Sequence, residues 1–252
     1  MKLLHYCLLG IMLAIPTGLL AQSTWTVEAL GGINSSTVNE APIEGAYDSP
    51  LSPAGGIIIG KHFGNNWTLQ LGAEFLQRSL HNRWQAPPNP RPREIYLDSA
   101  SFNDVQKLNY LEFPLGLKFH VRFGSVRPFL IAGISPGIFV SGSNRIHLWD
   151  STYASQNRSI TDTMIDAGNA VNSFILSLLG GLGLEYQILP NSLFTIEAVY
   201  EYGLTTISNP AILLKEAPES ENPYYLPAMT PLFSNDLKSR DFRVEAGVAI
   251  DL

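Results

Sequence analysis

Between Leu111 and Phe123 the chain reads LEFPLGLKFHVRF, and its residues divide cleanly by parity. Leu111, Phe113, Leu115, Leu117, Phe119, Val121 and Phe123 are large and apolar, while Glu112, Pro114, Gly116, Lys118, His120 and Arg122 are charged, polar or small. Successive side chains of a β-strand point to opposite faces, so as a strand this segment has one apolar wall and one polar wall. At helical spacing both sets would scatter around the cylinder, which argues against a helix.

The same alternation returns along the chain. Trp67, Leu69, Leu71, Ala73 and Phe75 oppose Thr68, Gln70, Gly72 and Glu74; Phe194, Ile196, Ala198, Tyr200, Tyr202 and Leu204 oppose Thr195, Glu197, Val199, Glu201 and Gly203; Phe242, Val244, Ala246, Val248, Ile250 and Leu252 oppose Asp241, Arg243, Glu245, Gly247, Ala249 and Asp251. Weaker strands run from Trp25 to Ala29, from Ile57 to Phe63 and from Phe174 to Ile188, where Gly180, Gly181 and Gly183 argue against a buried helix. Arg127 to Ser141 is strand-like without an assignable face, and Pro136 suggests a bulge or an end there. Eight strands result.

Their connections alternate in length. Gly64-Asn65-Asn66, Gly124-Ser125 and Leu189-Pro190-Asn191 are tight links, whereas 33–52, 81–106, 142–172 and 207–237 are long and rich in Pro, Asn, Ser and Asp. That rhythm predicts an all-β fold: an eight-stranded antiparallel up-and-down transmembrane β-barrel with short periplasmic turns and long extracellular loops. A soluble β-sandwich with an apolar core is the competing fold.

Which face meets lipid decides between them. The polar face carries Glu28, Glu74, Glu112, Lys118, His120, Arg122, Glu185, Glu197, Glu201, Arg243 and Glu245, several of them beside glycine. Eight strands enclose a lumen just wide enough for side chains to fill it, so these residues are expected to form an inward charge network. Trp25, Phe63, Trp67, Phe123, Phe129, Tyr186 and Phe194 lie near the tight turns and predict an aromatic girdle at the periplasmic interface. Charged residues make up only 15% of the 252, low for a water-soluble domain. The net charge of −6 gives no basic footprint for nucleic acid.

The first residues read as an export signal. Lys2 precedes an apolar run from Leu3 to Leu20, broken by Pro16 and Gly18 and ending at Ala21. Residues 1–21 are therefore expected to be a signal peptide cut before Gln22, with 22–252 a single barrel domain; a membrane-anchoring helix is the alternative. Cys7, the one cysteine, lies within that signal, so the mature chain has no disulfide. A closed barrel satisfies its backbone without one, since every N–H and C=O is paired within the wall.

Asn109-Tyr110-Leu111-Glu112-Phe113-Pro114-Leu115-Gly116-Leu117-Lys118-Phe119 closely resembles the N-Y-L-E-I-P-L-x-L-K-Y strand of PorT-like outer-membrane barrels of the Bacteroidota. Arg127 to Gly133, Gly181 to Tyr186 and Glu197 to Thr205 resemble later strands of that family, and the likeness extends over essentially the whole mature chain. Ala198-Val199-Tyr200 departs from it where an Arg-Tyr pair is often found. The C-terminal Gly247-Val248-Ala249-Ile250-Asp251-Leu252 fits the G-x-x-φ-x-φ signal for barrel-assembly machinery through Gly247, Ile250 and Leu252, although Leu252 replaces the usual aromatic. The resemblance implies fold and location, with outer-membrane lipid and the assembly machinery as partners. Some relatives serve protein secretion and gliding, which would add secretion-system or envelope proteins.

Chemistry is sparse. The histidines His62, His81, His120 and His147 have no Ser or Asp at a spacing that singles them out for catalysis. Asp162 and Asp166 lack the dense oxygen spacing of a calcium loop, and no glycine motif cradles a phosphate. Neither metal nor cofactor is expected. Trp84, Tyr96, Trp149, Tyr153, Tyr224 and Tyr225 place aromatics in the long loops, where binding on a rigid scaffold concentrates. The reading is a non-enzymatic barrel with a side-chain-filled lumen, acting through loop-mediated binding or envelope and secretion-system assembly. The alternatives are a rim-active enzyme on lipid or peptide, and a narrow pore.

Overall fold

The computed structural model describes residues 25–38, 46–85, 100–150, 161–166, 171–207 and 238–252, with backbone alone at 46–48, 82–85, 100–104, 144–150 and 161–166. The expected signal peptide, the aromatics Tyr96, Tyr153, Tyr224 and Tyr225, and the side chains of Trp84, His147, Trp149, Asp162 and Asp166 lie outside what is described.

Among the described residues eleven strands are present: β1 (Trp25–Val38), β2 (Ala46–Asp48), β3 (Ser52–Phe63), β4 (Trp67–Gln85), β5 (Ala100–Glu112), β6 (Leu115–His120), β7 (Val126–Asp150), β8 (Thr161–Asp166), β9 (Phe174–Leu189), β10 (Ser192–Gly203) and β11 (Ser239–Asp251). All pair antiparallel. The path β4–β3–β1–β11–β10–β9–β7–β5 closes through β4–β5, so the sheet is a barrel. It has eight wall strands because β5 and β6 are one strand split at Phe113-Pro114; each half pairs with both β4 and β7. Proline cannot donate to the ladder, and the wall closes around it. The Gly72 N–H donates to the Pro114 carbonyl at 2.9 Å, and the Phe113 N–H to the Pro136 carbonyl at 2.8 Å.

Tight turns join β3 to β4, β6 to β7 and β9 to β10, and both β1 and β11 end at that same rim. Gly64 and Gly124 take φ of 62° and 61° there, a left-handed conformation that only glycine adopts cheaply.

At the opposite end the strands outrun their expected limits. β4 has 19 residues and β7 has 25, where a tilted strand needs about 10 to cross a bilayer. β5 begins and β8 lies wholly within stretches that the sequence reads as loop. Above the lipid nothing enforces apolar-out alternation, so the pattern lapses while the ladder continues.

β7 also acquires a face. Arg127, Phe129, Ser135 and Gly137 are buried, while Leu130, Ile134, Ile138 and Val140 are exposed. The strand neither ends nor bulges at Pro136, contrary to expectation. The register slips farther on, where Asn109 pairs with Ser141 but Tyr110 with Phe139.

Each of the eight wall strands exposes large apolar side chains, Ile57, Leu71, Leu130, Leu182 and Phe242 among them. A belt of that extent has no counterpart on a water-soluble surface. The interior is layered rather than uniformly polar. Charged residues fill its middle, and Leu108, Tyr110, Val171, Ile175 and Ile207 pack into an apolar layer toward the long-connection end.

Candidate functional site

Inward positions on neighbouring strands set carboxylates directly opposite one another. Glu74 faces Glu112 across β4–β5, and Glu197 faces Glu245 and Glu201 faces Asp241 across β10–β11. Like charges so placed repel, and buried unpaired charge is costlier still. Two arginines answer this from within the lumen. Arg78 on β4 reaches Glu112 at 2.7 Å, Asp241 at 2.9 Å and Glu201 at 3.6 Å. Arg243 on β11 reaches Glu74 at 2.7 Å, Glu201 at 3.0 Å and Glu245 at 3.7 Å. Each guanidinium has five donors in a planar fork, which suits it to several carboxylates at once. Ser135 donates to Glu112 at 2.8 Å, and the Arg78 guanidinium lies 4.9 Å from the Tyr110 ring.

Nearer the tight turns, Lys118 holds a second group. Its Nζ is 3.0 Å from Glu185 and 3.4 Å from Glu28, and 4.1 Å from the centre of the Phe129 ring. Between the two groups lies a void of about 20 Å³, lined in part by Glu28, Gln70, Glu74, Glu197 and Arg243. That is room for about one water molecule.

At the tight-turn rim a hydrogen-bond chain links four strands. Thr26 donates to Asp251 at 2.8 Å; His62 Nε2 lies 2.6 Å from the Thr26 hydroxyl, and its Nδ1 lies 2.7 Å from Thr68. Because Thr26 has given its one proton to Asp251, a neutral His62 donates from Nε2 and accepts from Thr68 at Nδ1. His120 meets His62 edge to face, ring centres 5.8 Å apart.

The structure places Glu28, Glu74, Glu112, Lys118, His120, Glu185, Glu197, Glu201, Arg243 and Glu245 inside the barrel, each buried. Arg122 is not among them. β6 stops at His120, and the segment beyond no longer has a strand's two faces; Arg122 is exposed at the rim. Of the expected aromatic girdle, Trp25, Trp67, Phe123, Tyr186 and Phe194 are exposed and Phe63 is half-buried. Phe129 points inward at 4% exposure. It fills the space beside its register partner Gly183, where a Cβ would strike the ring. Gly247 pairs with Leu30 and Thr195, and Ile250 and Leu252 are exposed.

Sequence reasoning missed Arg78 and Asp241. Asp241 belongs to the polar parity of its strand. Arg78 continues the parity of Gln70 and Glu74, but inward Leu76 and Leu80 interrupt the polar pattern. Among the described residues no group of three or more His, Cys, Asp or Glu is arranged to hold a metal ion.

A closed antiparallel barrel, apolar outside and ion-paired within, is the architecture of transmembrane barrels of bacterial outer membranes. The chain belongs to the family described as outer membrane protein beta-barrel domain, which matches residues 20–209. No curated protein matches it. Among solved structures it is similar to Neisserial surface protein A, at 12% identity with 91% of this chain and 98% of that one covered and a TM-score of 0.40. It is similar also to the attachment invasion locus protein Ail of Yersinia pestis in complex with the heparin analogue sucrose octasulfate, at 13% identity, 91% and 99% coverage and a TM-score of 0.34. The N-terminal β-barrel domain of Pseudomonas aeruginosa OprF gives 11% identity, 92% and 100% coverage and a TM-score of 0.35.

Proposed function

We propose that this outer-membrane barrel is a non-enzymatic scaffold that acts through its long-connection end, by binding or by assembly with envelope or secretion-system proteins. The observation that carries the reading is the cross-bracing of the lumen by Arg78 and Arg243. The void described between the two ion-paired groups is about 20 Å³, which favours a filled lumen over a conducting path. A filled barrel has its working surface at its ends, and β4, β5, β7 and β8 extend one end well past the bilayer.

In this proposal residues 1–21 are removed on export, both termini and the tight turns face the periplasm, and the long connections face outward. Assembly machinery reads the last strand through Gly247, Ile250 and Leu252. The Asn109–Phe119 strand favours a place in the PorT-like group of the Bacteroidota, whose secretion and gliding roles make envelope partners the first to seek.

The purified barrel in a planar bilayer is expected to show no steady single-channel conductance, and crosslinkers placed on β8 are expected to capture envelope proteins in intact cells. Steady conductance would point instead to the narrow pore.

A rim enzyme draws support from the Asp251–Thr26–His62–Thr68 chain. Its hydroxyls argue against that reading: Thr68 is 2% exposed and Thr26 7%, so neither is open to a substrate carbonyl. Fluorophosphonate labelling of the folded barrel at Thr68 would revive it.

A further inference from the structure

The lumen holds more acid than base. Among the described residues eight Asp and Glu side chains are buried, against four Arg and Lys. Arg78 and Arg243 between them answer Glu74, Glu112, Glu201, Asp241 and Glu245. Lys118 answers Glu185 and one oxygen of Glu28, and Arg127 stands opposite Glu185 in register toward the tight turns. The acid left over collects in one place. Glu28 meets Lys118 through Oε2 at 3.4 Å, and its Oε1 has no hydrogen-bond partner although the residue is 3% exposed. The side chain of Glu197 makes no hydrogen bond or ion pair to a described residue. Both residues line the void of about 20 Å³ between the two charged groups, together with Gln70, Glu74 and Arg243. Much of the remaining lining is apolar, Leu30, Ile58 and Ile131 among it, and does little to screen their charge.

We infer that this void is a binding site for one dehydrated monovalent metal cation, sodium or potassium, held by Glu28 and Glu197 with the amide oxygen of Gln70. Size, charge and ligand type each point to that occupant. The volume takes about one water-sized sphere, and neither ion is much larger than water once its hydration shell is lost. A water molecule would meet the free oxygen of Glu28 and leave the surplus of acid unbalanced, whereas a cation meets both. Arg243 does not compete for the position, since its own charge is shared among Glu74, Glu201 and Glu245. A divalent ion fits poorly. Calcium takes about six to eight oxygens and magnesium retains several waters, and the void has room for neither arrangement. Accordingly, no group of three or more His, Cys, Asp or Glu is arranged for a metal ion among the described residues. Two carboxylates and an amide make a looser set, of the kind that alkali cations accept.

The site rests on the filled lumen proposed above, so the test separates the two. The barrel is refolded into phosphatidylcholine vesicles in chloride buffers of constant pH and ionic strength, in which N-methylglucammonium, too bulky for the void, is exchanged for sodium or potassium. Constant ionic strength holds screening fixed. A cation that binds only the folded barrel acts by mass action, so at about ten times its dissociation constant it lowers the unfolding equilibrium constant about tenfold. Urea titrations of the unaltered barrel are expected to show that fall with one of the two alkali ions, and native mass spectra to show one such ion per chain. Glu197→Gln removes a carboxylate without breaking an ion pair, and is expected to fold and to lose both responses. Without alkali ion it is expected to be the more stable of the two barrels, and with it the gap narrows. Unfolding that is indifferent to the cation present overturns the site and leaves protons or water to balance the lumen. A response that survives Glu197→Gln overturns it as well. Steady conductance of the unaltered barrel in a planar bilayer overturns instead the filled lumen on which the site rests.

Discussion

Arg78 on β4 and Asp241 on β11 meet inside the barrel at 2.9 Å, Nε to Oδ2, although β3 and β1 separate their strands in the sheet. Both are fully buried. The contact ties the first half of the chain to the last strand across the lumen, so its strength measures how far the interior, rather than the wall alone, holds the barrel shut. Arg78→Ala leaves Glu112, Glu201 and Asp241 without their shared cation. Breaking a buried pair in this way costs about 3–5 kcal/mol. Urea unfolding of the vesicle-embedded barrel is expected to show that loss, and Arg78→Leu/Asp241→Leu to recover part of it. A loss under about 1 kcal/mol in the single variant would mean that water already screens the pair.

Glu197 is the reverse case. It faces Glu245 across β10–β11 in the same charged layer as Glu28 and Glu74, while Lys118 is engaged by Glu28 and Glu185. Removing one member of a like-charged cross-strand pair relieves about 0.2–1 kcal/mol. Glu197→Gln is therefore expected to stabilise the barrel at neutral pH, and Glu74→Gln, which deprives Arg243 of its 2.7 Å partner, to destabilise it. Opposite signs in one unfolding series are the outcome to look for.

These contrasts also show why some of the molecule is legible in its residue order and some is not. Lipid on one side and carboxylates on the other impose the strict alternation of Leu111 to Phe119, so face and fold can be read there directly. Arg127 to Ser141 obeys the same geometry, but its inward positions include Phe129, Ile131 and Phe139, and the contrast between faces disappears. Phe129 points inward because Gly183, on another strand, leaves room for its ring. No local pattern encodes that pairing. Arg78 is hidden for a related reason: Leu76 and Leu80 are apolar yet inward, where the interior becomes an apolar layer. Long-range register decides these positions, and register is a property of the closed barrel.

Two glycines make room for the charges. A Cβ on Gly56 would lie 2.7 Å from Glu74 Cγ, and one on Gly32 would lie 2.8 Å from Glu245 Cγ, with backbone of the facing strand close by in both cases. Overpacking a filled interior costs about 1–3 kcal/mol. Gly56→Ala is expected to lower stability by that amount, and Gly56→Val to prevent folding as judged by gel mobility. Gly180, where a Cβ meets nothing within 4 Å, is the control, and Gly180→Ala is expected to fold normally.

The outer wall makes a separate prediction. Leu182 lies at the middle of β9 and is 61% exposed. An arginine on the lipid face at the bilayer midplane costs about 2–4 kcal/mol. Leu182→Arg is expected to show that cost in vesicles, whereas Leu252→Arg, at the rim, is expected to lose less than about 1 kcal/mol. Equal effects at both positions would argue that the wall does not sit across a bilayer.

The seam where β1 and β11 meet is pinned by side chains as well as by the ladder. Thr26 and Asp251 are register partners on β1 and β11, and His62 and Thr68 are register partners on β3 and β4. The hydrogen-bond chain through His62 therefore joins the last strand to β4 across the closure. His62→Ala leaves the buried Thr26 and Thr68 hydroxyls without their shared partner, at about 1–3 kcal/mol. Since the break lies at the rim of one seam, faster amide exchange is expected in Trp25–Leu30 and Ala246–Leu252, with β7 and β9 unchanged. Exchange that rises evenly around the barrel would show that His62 supports the wall as a whole and does not act as a clasp at the β1–β11 seam.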